Sequence, residues 1–313
     1  MMLKYGFMDN RKVLIFCFIV CNISLLTEAI SAEEHSELLS IKNSEFVTLK
    51  KNPLAQRLLG LIGQVGKLSV DGLDQYALLL KPEQGMPSAG WPVIIFNHGF
   101  HPQPFMNGRR AIDGISDRPG DYYRQIPQSL ARHGFLVVVP DYRGHNDSAG
   151  IDFTLQKTSA RWYARDVLGI VNALQSINSI DKNHLFMLGH SMGGEVTLHV
   201  ARFLGNKLSG ASIWSTQLPS EISIKDTDVT PMVSQLQLIK SPLNIHHAEG
   251  DQTTLFADSV TLAAQLTQLK KSNNLYSYAS DNHLFTDDNL RLAIDRDITF
   301  FRYIMALNNR GVQ

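Results

Sequence analysis

The segment Gly189-His190-Ser191-Met192-Gly193-Gly194 constrains this chain more than any other. It follows directly on the apolar run Leu185–Leu188, and the helical pattern of Glu195–Leu204 follows directly on it. A strand that hands over to a helix within so few residues must turn very sharply. Glycines on both sides of Ser191 let strand and helix approach closely, and the serine at the apex projects outward. The bare G-x-S-x-G pattern is weak, arising by chance roughly one time in ten in a chain of this length. Its place between a strand and a helix gives it weight.

The rest of the chain repeats that alternation. Val65–Val70 and Gln75–Leu80 read as two strands joined by a turn at Asp71-Gly72. Val93–Asn97, Leu136–Pro140 and Leu185–Leu188 are short, wholly apolar runs, as expected of strands covered on both faces. Ala211–Trp214, Leu243–His247 and Asn274–Tyr278 continue the series. Between them, Tyr122–His133, Ala160–Ile177, Glu195–Leu204, Ser259–Lys271 and Leu290–Leu307 carry apolar residues at helical spacing. Strands alternating with helices predict an α/β fold, a mostly parallel central sheet with helices on both faces. Chemistry in such a sheet belongs at the carboxyl ends of the strands.

At the N-terminus, Lys4, Arg11 and Lys12 precede an apolar run from Val13 to Leu26, then Ala29, Ile30, Ser31 and Ala32. That order predicts a signal peptide over residues 1–31, cleaved after Ser31 or Ala32, and a secreted or periplasmic enzyme. The run is shorter than the roughly 20 residues that span a bilayer, so no stable membrane insertion is expected once it is removed. Both cysteines, Cys17 and Cys21, lie inside it. A mature chain without cysteine has no thiol nucleophile and no disulfide. Residues 32–60 read as a polar N-terminal extension with a short helix near Leu54–Leu59, and 61–313 as the catalytic domain. Basic and acidic side chains both number 29, so nothing in the charge suggests nucleic acid as a partner.

A serine hydroxyl is a poor nucleophile without a base. Of 11 histidines, only His283 follows Ala248, in Ser280-Asp281-Asn282-His283, just after the strand Asn274–Tyr278. In sites built on such a turn the order along the chain is serine, acid, histidine. Asp251 follows the strand Leu243–His247 and is the first candidate for the acid, with Glu249 its close rival. The acid would hold His283 in the right tautomer and stabilise its cationic form. A developing oxyanion needs two N–H donors. Met192 supplies one, and Phe100, in Asn97-His98-Gly99-Phe100 after the strand Val93–Asn97, supplies the other.

Other residues take plainer readings. His98 is a structural hydrogen-bonder. Adjacent residues on a strand point to opposite faces, so His246 and His247 do not make a metal site, and neither metal nor cofactor is expected. Asp141 and Arg143 are expected to fix their loop by pairing and hydrogen bonding, and Glu195 suits the start of a helix.

Together these segments resemble the α/β-hydrolase superfamily over roughly residues 65–305. More narrowly they are similar to the catalytic domain of prolyl oligopeptidases (S9) and to dienelactone-hydrolase and cutinase-like esterases. The resemblance implies an α/β-hydrolase fold, a Ser191–Asp251–His283 triad and an oxyanion hole at Phe100 and Met192. S9 peptidases carry a large N-terminal propeller, and the short stretch before the first strand favours an esterase acting on a small-molecule ester or short acyl substrate. Peptidase activity with the same triad is the alternative. Phe105, Met106, Tyr122, Tyr123 and Trp214 are expected near the cleft, and residues 216–241 could form a small cap.

Overall fold

The computed structural model describes residues 47–51, 60–106, 123–155, 159–218 and 235–310. The expected signal segment and the helix near Leu54–Leu59 lie outside these residues. In chain order the strands are β1 (Val47–Lys51), β2 (Leu61–Val70), β3 (Leu73–Pro82), β4 (Trp91–Asn97), β5 (Leu136–Asp141), β6 (Ile180–His190), β7 (Gly210–Trp214), β8 (Leu243–Ala248) and β9 (Asn273–Tyr278). The α-helices are α1 (Gln125–Arg132), α2 (Ser159–Leu174), α3 (Met192–Leu204), α4 (Phe256–Gln268) and α5 (Asp287–Arg310).

The nine strands among the described residues form one sheet in the order β1-β2-β3-β5-β4-β6-β7-β8-β9. The first three are antiparallel hairpin strands, and β3 meets β5 antiparallel. From β5 to β9 every pairing is parallel. The β2–β3 turn has positive φ at both Asp71 and Gly72, 55° and 77°, the conformation a two-residue hairpin with native twist requires. Strand β1 falls within the segment read from sequence as a polar extension, and its backbone pairs with β2.

The faces of the sheet follow the two-residue period of a strand. Ile94 and Phe96, Val137 and Val139, and Phe186 and Leu188 point into one core with Ile126 and Leu130 of α1 and Ile294, Ile298 and Phe301 of α5. Phe301 is wedged between Phe135 and Phe186, with ring centroids 6.3 Å and 4.6 Å away. Each such buried aromatic contributes roughly 1.5–3 kcal/mol. Helices α2 and α3 pack on each other and cover the opposite face, where Gly169 lies against Val70 and Asn97 Nδ2 donates to Thr197 Oγ1 at 2.8 Å.

The core also holds a carboxylate. Asp297 of α5 is wholly buried and accepts from Trp214 Nε1, Asn244 Nδ2 and His246 Nε2 at 2.8, 2.9 and 3.0 Å. Three donors satisfy a charge that would otherwise be very costly to bury. Trp214, expected beside the cleft, is therefore part of the core beneath α5.

The connection β4–α1–β5 runs to one side of β4, and β5–α2–β6 returns to the other. The order reverses at β4, so the loops leaving β4 and β6 diverge to opposite faces and open a crevice at their carboxyl ends. Asn97–Phe100 and Ser191 both lie there.

Candidate active site

Ser191 stands between β6 and α3 with φ 56° and ψ −126°, a conformation that strains any residue with a Cβ. The helix begins at Met192, earlier than its apolar pattern alone suggests. Gly193 must be glycine, because a Cβ there would overlap the main-chain carbonyl of Asn97. Ser191 N–H donates to Trp214 O at 2.9 Å, and Gly194 N–H to Ser191 O at 2.9 Å, which pins the apex from both sides.

His283 lies in the loop after β9 with its side chain 23% exposed. Its Nδ1–H donates to Asp251 Oδ2 at 2.7 Å. Asp251 is buried in the loop after β8, and its other oxygen accepts the N–H groups of Thr253 and Thr254 at 2.7 and 3.2 Å. Burial alone would raise the Asp251 carboxyl, but these bonds and that from His283 outweigh it and hold the group below the usual carboxylate range. Glu249 is exposed and its N–H pairs with Tyr278 O. The structure thus brings Asp251, not its rival, to His283. With Nδ1 donating to Asp251, His283 Nε2 is left to receive a proton. Among the described residues Ser191 Oγ makes no hydrogen bond to His283; the two are linked through His190, whose ring lies 4.7 Å from that of His283.

The loop after β4 passes directly over the serine: a Cβ on Gly99 would lie 3.1 Å from Ser191 Cβ and 2.5 Å from the Tyr123 hydroxyl. Gly99 N–H donates to Tyr123 Oη at 2.9 Å. Among the described residues no backbone carbonyl takes the N–H of Phe100 or of Met192. His98 is buried, donates from Nδ1 to Gly99 O at 2.9 Å, and packs against Tyr142 with ring centroids 4.5 Å apart. Burial pushes it down to about 4, so it is neutral.

Several supporting residues escaped the sequence reading. Thr254 Oγ1 lies 3.0 Å from Asp251 Oδ2 and 2.9 Å from Ser215 O, either of which can take its proton. His247 sits beneath the acid, 3.4 Å from Asp251 Oδ2, donating to Thr254 O and accepting from Ser259 Oγ. His246 faces the other way, toward Tyr278 and Asp297. Tyr123, expected to line the cleft, is buried, with its hydroxyl turned to Gly99 and His190. Burial pushes His190 down to about 3. Arg143 does not pair with Asp141. Its fork binds Asp166 of α2 and reaches Asp71 at 3.0 Å, while Asp141 accepts from Asn146 Nδ2. Phe100, next to Gly99, and Phe105 are both exposed. Residues 107–122 and 219–234, which include Tyr122 and most of the expected cap, lie outside the described residues.

Comparison with known proteins bears on this arrangement. The family described as serine aminopeptidase, S33 (Hydrolase_4), matches residues 112–220, the stretch that carries the elbow. Monoglyceride lipase of Rattus norvegicus is 29% identical over 108 residues, 32% of this chain and 33% of the lipase, so the match spans about a third of that protein. Acetyl xylan esterase 1 from Thermoanaerobacterium sp. superposes on 86% of this chain and 92% of its own, with TM-score 0.59 and 14% identity. Est1E from Butyrivibrio proteoclasticus, solved with ferulic acid, covers 77% of this chain and 99% of its own at TM-score 0.55 and 18% identity. The chain has the α/β-hydrolase fold. Acylaminoacyl peptidase from Pyrococcus horikoshii shares that fold over 81% of this chain and 43% of its own, with TM-score 0.59 and 18% identity. On this fold, Ser191, His283 and Asp251 each stand at the carboxyl end of a parallel strand: β6, β9 and β8.

Proposed function

We propose that this α/β-hydrolase cleaves carboxylic esters through an acyl-enzyme on Ser191. The observation that carries the reading is the 2.7 Å bond between His283 Nδ1 and Asp251 Oδ2, placed beside the strained serine turn. His283 Nε2 takes the proton as Ser191 Oγ attacks the ester carbonyl, and Asp251 stabilises the imidazolium. The N–H groups of Phe100 and Met192 hold the oxyanion. As the tetrahedral intermediate collapses, the proton passes from His283 to the leaving alcohol, and Ser191 keeps the acyl group. Water, activated by His283 in the same way, then releases the acid.

Superposition over nearly the whole length of acetyl xylan esterase 1, and of Est1E with its bound ferulic acid, supports the ester reading. The exposed rings of Phe100 and Phe105 suit an acyl or aryl substrate of small size. The serine aminopeptidase match and the acylaminoacyl peptidase superposition support peptide cleavage by the same residues as a second reading. The N-terminal sequence supports work outside the cytoplasm, in a secreted or periplasmic enzyme.

The test compares short p-nitrophenyl esters with peptide p-nitroanilides, for wild type and Ser191→Ala. Ester turnover is expected to fall by several orders of magnitude in the variant. Strong anilide cleavage with feeble ester cleavage would select the peptidase reading. Unchanged turnover in Ser191→Ala would remove the serine mechanism altogether.

A further inference from the structure

A continuous chain of hydrogen bonds crosses the site without touching the reacting atoms. Gly99 N–H donates to Tyr123 Oη at 2.9 Å. Tyr123 Oη lies 2.6 Å from His190 Nδ1. His190 Nε2 lies 3.0 Å from the main-chain oxygen of His283. A carbonyl oxygen can only accept, so His190 Nε2 carries the proton and donates to His283 O. A neutral ring then offers a bare lone pair at Nδ1, which accepts from the Tyr123 hydroxyl. That hydroxyl oxygen in turn accepts from Gly99. Tyr123 is 1% and His190 2% exposed, so bulk water does not compete for these bonds.

The chain joins parts that the sheet alone leaves independent. The turn at Gly99–Phe100 leaves β4, the serine turn leaves β6, and His283 hangs on the loop after β9. The Asp251 contact orients the His283 ring, but nothing in that contact fixes where the His283 main chain sits relative to Ser191. His190, adjacent to Ser191, supplies that reference. We propose that Tyr123 and His190 are positioning residues, which hold the Gly99–Phe100 turn and the His283 main chain in one geometry about Ser191. The proposal rests on the assignment of Ser191, His283 and Asp251 above. Catalysis falls steeply when reacting groups drift by about 1 Å, typically by about 10²-fold.

Tyr123→Phe is a clean probe. The ring packs edge-on against Phe96 with centroids 5.4 Å apart, so the variant keeps that packing and loses only the hydroxyl. His190→Gln keeps a donor that can reach His283 O, whereas His190→Leu keeps none. Turnover of p-nitrophenyl acetate would be measured for these three, for the Tyr123→Phe/His190→Gln pair and for Ser191→Ala, with thermal midpoints alongside. Tyr123→Phe is expected to lower kcat roughly 10- to 100-fold with KM within about twofold. His190→Gln should retain more kcat than His190→Leu. The double variant should be no slower than the slower single, because both break one chain. Wild-type kcat in Tyr123→Phe and His190→Leu, strictly multiplicative losses, or losses that merely follow the thermal midpoint would overturn the proposal. Full turnover in Ser191→Ala would overturn the underlying site instead. An inactive Ser191→Ala beside a fully active Tyr123→Phe sinks the positioning role alone.

Discussion

Asp251 Oδ2 lies 2.7 Å from His283 Nδ1, and Asp251 Oδ1 accepts two main-chain N–H groups from Thr253 and Thr254. The carboxylate is thus oriented by its own loop before it meets the histidine. Asp251→Asn replaces an acceptor with a group that can donate, and would favour the tautomer of His283 that cannot take the serine proton. The expected loss in kcat for ester hydrolysis is up to about 10⁴-fold. Glu249→Gln, at an exposed position, should stay within about twofold of wild type. Steady-state kinetics of the two variants checks this; the reverse ranking would move the acid to Glu249.

The proposed role of Phe100 belongs to its main chain. The residue is 63% exposed, so Phe100→Ala should fold normally and keep kcat, changing mainly KM for apolar esters. Phe100→Pro removes the N–H itself and should lower kcat by about 10²–10³. Circular dichroism establishes that both are folded. Equal kcat in the two variants would place the second oxyanion donor elsewhere.

Buried histidines should make the fold sensitive to mild acid. Burial pushes His98 down to about 4 and His145 and His190 down to about 3. In the unfolded chain each titrates near the ordinary value of about 6.5. Between that value and the depressed ones, the unfolded state binds more protons than the folded state. Stability is therefore complete above about pH 6.5 and is lost as pH falls, by up to ~1.4 kcal/mol per pH unit for each histidine. Asp251, held below its usual range, adds its own loss only at lower pH, as the solution falls below the ordinary carboxyl value of about 3.9. Thermal midpoints taken from neutral pH to about pH 4.5 should decline steadily, and His145→Gln should flatten the decline. A flat profile in the wild type would contradict buried neutral histidines.

Much of the site was legible because its signals are local. The serine turn announces itself by glycines at fixed offsets, and His283 by its place after a strand with no rival. The acid remained open between Asp251 and Glu249, since both sit in the same short loop. Only folding turned Asp251 inward, where Thr253 and Thr254 offer their N–H groups, and left Glu249 at the surface.

The misreadings share one cause. Asp141 and Arg143 do fix their loop, Asp141 through Asn146 and Ser148, but the partner of Arg143 is not readable from sequence. The planar fork of Arg143 meets Asp166, a partner 23 positions away on α2. Trp214 reads as a cleft residue because it ends a strand, yet its indole N–H is claimed by Asp297 from α5. His190 reads as an unspecified position in a motif, while both its ring nitrogens have partners from distant loops.

The sequence by itself determined the alternation of strands and helices, the sharp turn at Ser191 and the order of serine, acid and histidine. The alternation and the turn follow from periodicity and backbone sterics, which act over a few residues; the order of the three is what the resemblance to α/β-hydrolases implies. Tertiary structure alone decided which polar groups meet: Asp251 with His283, Asp297 with Trp214 and His246, Tyr123 with His190. A buried donor must find an acceptor wherever the chain supplies one, and only the packed sheet brings residues so far apart in sequence within 3 Å.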